Sequence, residues 1–234
     1  MISNRFESLS QAFRVFAEQQ FRFNHLFLVD APEAVGNLDH AVDGILNAFH
    51  GLYDASQNEA GAAFSFYDDP ICALVLRLRN GRHHNQANGV RSIYRRARSE
   101  ERPIDYLLVD FPAGANEENG SFASYYVAWG DLQIVLAQQQ QKYPESVAAS
   151  YQAVGAHVFE RWCGEQGYST NQIFINIIPV LSAAGSACIG ALSPFIRTES
   201  VEAAAFLDLF QSVETARFAE PDYVELTSAV FWPK

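Results

Sequence analysis

The chain has 234 residues, 49% hydrophobic and 18% charged, with a formal net charge of −11. It is too apolar and aromatic to be disordered, and its 14 Gly and 9 Pro are too few for a collagen or a Pro/Gly-rich linker. Three cysteines, Cys72, Cys163 and Cys188, form no CxxC pair, which excludes a disulfide framework or cysteine zinc knuckle and points to a reducing, cytoplasmic setting.

The first predicted element is a helix from Phe6 to about Phe23, with Leu9, Phe13, Phe16 and Ala17 at helical spacing. Arg5, Glu7, Arg14 and Glu18 interrupt Met1–Gln20, so no secretory signal is expected. A second helix runs from Leu38 to Tyr53, apolar along Leu38, Val42, Ile45, Phe49 and Leu52, with Asn37 as its cap and Pro32 and Gly36 as breakers upstream. Its other face carries His40, Asp43, Asn47 and His50. The two histidines stand about 15 Å apart along the axis, too far to share an ion, so this stripe reads as a solvated face. Asp69-Pro70 opens a third helix through Ile71, Leu74, Val75 and Leu78 into Arg79; Gly81 weakens it and makes a bend affordable there, and Asn88-Gly89 ends or bends it.

Beyond Pro103 the pattern changes. Ile104–Phe111 reads as a strand bounded by prolines, and Phe122–Ala137 as a second strand or a strand running into a helix, joined by a hairpin loop over Gly114–Ser121. Tyr125, Tyr126 and Trp129 in this stretch read as core. Helical pattern returns over Glu145–Gln166 and from Glu199, opened by Thr198, to about Phe218. Between them, Ile173–Ile196 has no charge and is long enough to cross a bilayer, but Asn176, Pro179, Gly185, Gly190 and Pro194 make it a buried helical hairpin, and no membrane partner is expected. The expected fold is mainly α, a single domain over 1–234: a helical bundle of about 1–100 and 144–218 with a small antiparallel β insertion around 104–137.

Charge is concentrated. Between Arg77 and Arg102 lie eight of the 16 basic residues, all arginine, against only Glu100 and Glu101; the stretch carries +6 and the remainder −17. A guanidinium fork suits phosphate, and Arg77, Arg82, Arg91 and Arg95 are the candidate substrate-binding residues. The other reading of the segment 77–102 is a non-enzymatic interaction surface for an acidic partner.

Within this segment, Arg79-Asn80-Gly81-Arg82-His83-His84 holds the residue types that RNA cleavage needs. An arginine stabilises the phosphorane oxygens, and a histidine moves protons among the 2′-hydroxyl, the phosphate and the leaving 5′-oxygen. No cofactor or metal is needed, because RNA supplies its own nucleophile. In an unbroken helix Arg79 and His83 share a face, whereas His84 lies about 140° round the axis.

Arg79-Asn80-x-x-x-His84, late in a helix opened by Asp69-Pro70, resembles the RNxxxH signature of the HEPN superfamily, over about Asn37–Arg98. The resemblance implies a helical bundle that binds RNA or cleaves it without metal, often in toxin–antitoxin or phage-defence systems. It also implies a homodimer and an antitoxin-type protein partner. By resemblance the catalytic roles fall on Arg79 and His84, supported by Asn80, with His83 assisting; the stripe His40–His50 then lines the groove for RNA or a second subunit. Cys163, near His157 and Glu165, reads as an inert buried thiol.

Overall fold

A computed structural model describes residues 1–59, 64–84, 89–99, 104–112 and 123–227, with the backbone but not the side chain of His84. The expected connector 114–121 and the dipeptide's first residue, Asn88, lie outside the described residues. In chain order the elements are α1 (Ile2–Val29), α2 (Ala31–Glu59), α3 (Pro70–His84), α4 (Ile93–Ser99), β1 (Asp105–Asp110), β2 (Tyr126–Ala128), α5 (Trp129–Gln140), α6 (Pro144–Ala153), α7 (Ala156–Glu165), β3 (Ile173–Asn176), α8 (Ile178–Leu192), α9 (Val201–Ser212) and β4 (Asp222–Thr227). The fold is mainly α with a small β component. The chain divides into two compact units, Met1–Arg79 with Ala184–Val213, and Asn80–Ala183 with Glu214–Lys234.

The first unit is helical. α1 and α2 form an antiparallel pair joined through Asp30. The Asp30 N–H donates to the Leu26 carbonyl at 2.7 Å, and its Oδ1 accepts from the Glu33 N–H at 3.0 Å, so one residue ends α1 and caps α2. The expected start at Leu38 is therefore corrected: α2 begins seven residues earlier, at Ala31. Pro32 sits in the first turn, where its missing N–H costs nothing. Ile2, Phe6, Leu9, Phe16 and Phe23 of α1 are buried, as are Leu38, Val42, Ile45, Phe49 and Leu52 of α2. On α9, Phe206 and Phe210 bring their rings to 5.9 and 5.4 Å from Phe13. The cap of α9 is Ser200, whose Oγ accepts from the Ala203 N–H at 3.0 Å, rather than Thr198. At the start of α3, Asp69 Oδ1 accepts from the Ile71 and Cys72 N–H groups at 3.0 and 2.8 Å, as the Asp-Pro pair predicts.

The second unit holds a four-stranded sheet in the order β2-β3-β1-β4. β1 runs parallel to β3, with Leu107 opposite Ile173 and Val109 opposite Ile175. β2 is antiparallel to β3, and β4 antiparallel to β1. The expected hairpin of two antiparallel strands within 104–137 is thus corrected to a mixed sheet. β1 and β2 flank β3, whose residues are all buried, and do not pair with each other. The uncharged stretch 173–196 likewise supplies β3 and then α8 rather than two helices. Ile178–Phe195 is the one helical stretch among the described residues long and apolar enough to cross a membrane, with mean hydropathy 1.5 and 44% of it buried.

The expected helix over Glu145–Gln166 is divided at Gly155, which adopts φ +64°; a Cβ there would lie 2.1 Å from the Phe218 carbonyl oxygen. On the edge, β4 is held to α7 by Trp162 stacked on Tyr223 with ring centroids 4.0 Å apart.

Candidate functional site

α3 continues unbroken through Gly81 to His84, so the bend that would bring His84 to Arg79 does not occur at Gly81. Glycine is required at this position for another reason. A Cβ would stand 2.6 Å from Val135 Cγ2, so its absence lets α5 approach α3. With the helix straight, position 83 lies one turn beyond Arg79 on the same face, and position 84 about 140° round. His83 is exposed and Asn80 half-buried. The side chain of His84 lies outside the described residues.

Arg79 is half-buried in the first unit. Its Nε–H donates to Asn47 Oδ1 at 3.1 Å, so the guanidinium is held against the polar stripe of α2. This acceptor is a neutral amide, which helps to orient the guanidinium. Two histidines of the stripe have partners within α2: His40 Nδ1 lies 2.7 Å from the Gly36 carbonyl, and His50 Nδ1 3.2 Å from Asp54 Oδ2. His40 and Asn47 are exposed.

Burial divides the other candidate arginines. Arg77 is 1% exposed, so it is not presented to a ligand at the surface. In the second unit, Arg91 makes a bidentate pair with Asp131, Nε to Oδ2 at 2.8 Å and Nη2 to Oδ1 at 2.6 Å; its backbone N–H also reaches Oδ2. Arg82 Nη1 donates to the Val90 carbonyl at 3.1 Å and the Tyr125 hydroxyl at 3.2 Å. Arg95 is exposed. Of the candidate set, then, Arg77 is buried, Arg79, Arg82 and Arg91 are half-buried, and Arg95 is exposed.

Two clusters in the second unit escaped sequence reasoning. At the ends of the parallel strands, Asp110 Oδ1 accepts from Asn176 Nδ2 at 3.0 Å, and Oδ2 accepts from the Tyr126 hydroxyl at 3.1 Å. Asn176 Oδ1 in turn accepts the Tyr125 and Ile178 N–H groups and so caps α8. Burial, then the nearby Asp110 charge, pushes the Tyr126 hydroxyl well above its ordinary pKa. In the other cluster, Glu160 Oε1 accepts from Trp129 Nε1 and Gln133 Nε2, both at 2.6 Å, and from the Tyr151 hydroxyl. In both clusters a carboxylate gathers donors from several elements, which is how a structural lock is built. Tyr125 and Trp129 are 1% and 0% exposed, so they belong to the core, as their sequence context suggests.

All three cysteines are buried. The Cys72 thiol is pushed far up by its hydrogen bond to Cys188 and by burial, and Cys163 up to about 11 by burial. Neither is poised as a thiolate nucleophile. No protein-family model, curated protein or solved structure matches the chain.

Proposed function

We propose that the chain is a HEPN-like protein that binds RNA and cleaves it without a metal ion, with Arg79 as the phosphate-stabilising residue. The observation that carries this reading is the Arg79–Asn47 contact. It sets a half-buried guanidinium against an exposed polar residue of α2, and the guanidinium belongs to the residue the RNxxxH resemblance assigns to catalysis. Such a group supplies bidentate donors to a non-bridging phosphate oxygen pair and strengthens its hold as negative charge accumulates in the phosphorane.

The proton chemistry falls to the histidines. An imidazole takes the proton from the RNA 2′-hydroxyl as the 2′-oxygen–phosphorus bond forms. The 5′-oxygen–phosphorus bond breaks and the leaving 5′-oxygen receives a proton, leaving a 2′,3′-cyclic phosphate and a 5′-hydroxyl. The motif assigns this role to His84; the straight helix favours His83, one turn from Arg79. Asn80 is the supporting polar residue. A homodimer and an antitoxin-type partner belong to the same proposal, and so does a cytoplasmic setting.

The test is cleavage of single-stranded RNA in the presence of chelator by the wild type, Arg79→Ala, His83→Ala and His84→Ala, with melting temperatures measured alongside. Loss of cleavage in Arg79→Ala and in one histidine variant, at unchanged melting temperature, supports the proposal. Normal cleavage by Arg79→Ala overturns it.

A second reading, a non-enzymatic protein whose arginine segment meets acidic groups, draws on the Arg91–Asp131 pair, in which that segment already satisfies a carboxylate of its own chain. Salt separates the two. RNA affinity falls steeply with ionic strength as counterions are released, and a protein with no RNA affinity at low salt belongs to the second reading.

A further inference from the structure

Between α1 and α2, on the face that carries Asn47, lies an open groove of about 390 Å³. This is near the small end of ligand-pocket volumes, which run roughly 300–1,000 Å³. Its lining includes the small residues Ala12, Ala41 and Gly44 and the polar side chains of Gln11, Asn37 and His40. We propose that this groove is a base-recognition subsite that seats one unpaired nucleobase of single-stranded RNA beside the phosphate held at Arg79. The inference rests on the RNA reading above and names where that site takes its sequence preference.

Position comes first. His40 and Asn47 are seven residues apart on α2, within about 20° of each other round the axis, and Gly44 precedes Asn47 by about 4.5 Å of rise. The groove therefore begins one helical turn from the amide that tethers Arg79, in the same unit of the fold. A nucleotide whose phosphate meets the guanidinium has a neighbour within reach of it.

Chemistry comes second. The small side chains in the lining offer apolar surface with which an aromatic ring can make van der Waals contact. Gln11 and Asn37 each carry a donor and an acceptor on one planar amide, the pattern that pairs with base edges. They make no side-chain hydrogen bond among the described residues. His40 Nδ1 lies 2.7 Å from the Gly36 carbonyl oxygen, so that nitrogen donates and Nε2 is the ring atom left to meet a ligand. No carboxylate lines the groove, although the chain holds 27 acidic residues against 16 basic ones. Asp43, on the same stripe, is not part of the lining.

Gly44 makes the proposal testable without disturbing the fold. A Cβ at this position meets nothing within 4 Å, so a larger side chain enters the groove and not the protein. The experiment measures binding of fluorescein-labelled oligo(A), oligo(C) and oligo(U) to the wild type, Gly44→Leu and Arg79→Ala, with melting temperature and oligomeric state recorded for each. The expected result is a base preference in the wild type and in Arg79→Ala. In Gly44→Leu that preference is lost and affinity is roughly tenfold weaker, at an equal or higher melting temperature.

Unchanged affinity and preference in Gly44→Leu, with the wild type binding RNA, overturns the subsite and leaves the RNA reading standing. A change of oligomeric state in Gly44→Leu overturns it too, and assigns the groove to a second copy of the chain. A wild type that binds none of the oligonucleotides at low salt overturns the RNA reading itself, and the subsite with it.

Discussion

The Nε–H of Arg79 donates to the side-chain oxygen of Asn47 across 3.1 Å and fixes which way the guanidinium points from α3. Asn47 is exposed, so its replacement is expected to leave the fold intact. A hydrogen bond to a charged group is worth about 1.5–3 kcal/mol, which sets the expected effect of Asn47→Leu at a roughly 10- to 100-fold fall in kcat for RNA cleavage. Asn47→Asp keeps an acceptor but adds the opposite charge, and also slows cleavage. A rise in KM at unchanged kcat in Asn47→Leu contradicts a positioning role.

Glu160 is the common acceptor of Trp129, Gln133 and Tyr151, which draws α5, α6 and α7 together. Glu160→Leu strands three donors in a partly buried setting and is expected to cost about 3 kcal/mol in urea unfolding. A loss under about 1 kcal/mol shows that water replaces the carboxylate without penalty.

Two glycines are expected to respond in opposite directions to alanine. Gly155 adopts φ +64° with the Phe218 carbonyl oxygen 2.1 Å from where a Cβ would stand, so Gly155→Ala is destabilising by about 2 kcal/mol or more. Gly44 lies inside α2 with open space above it, so Gly44→Ala stabilises by about 0.5–1 kcal/mol. Thermal melts of both variants decide this; equal shifts of the same sign refute it.

Burial, then the hydrogen bond to Glu160, raises the Tyr151 hydroxyl to about 12 from its ordinary value of 10. A value raised in the folded state means stability that is complete below pH 10 and lost as pH climbs from 10 toward 12. The slope of unfolding free energy against pH in this window is expected to be shallower in Tyr151→Phe than in the wild type. Parallel slopes contradict the shift.

Local signals were the legible ones. Asp69-Pro70 reads as a helix start because both the cap and the proline act within one turn, and Asp69 caps as expected. The prolines around Ile104–Phe111 likewise mark β1, and the strand-then-helix alternative for Phe122–Ala137 matches β2 and α5. Strand pairing was not legible, since β1 finds its parallel partner in Ile173–Asn176, across three helices of intervening sequence. That partner sits in a uniformly apolar run, where periodicity does not separate strand from helix.

β4 has no buried residue and, among the described residues, pairs only along β1, so it carries no apolar alternation to read. The same limit holds at the candidate site. Arg79 was visible as a motif residue, but its acceptor Asn47 lies 32 positions away, and Arg91 meets Asp131 across 40. Gly81 reads as a weak point of its helix because its close neighbour, Val135, belongs to another helix and is invisible locally.

The most direct measurement is the fate of single-stranded RNA incubated with purified protein in chelator, followed by analysis of the fragment ends. The expected result is fragments ending in 2′,3′-cyclic phosphate from the wild type, with none above background from Arg79→Ala folded to the same melting temperature. Cleavage by Arg79→Ala at the wild-type rate, or intact RNA with every form of the protein, contradicts a guanidinium at position 79 acting on phosphate.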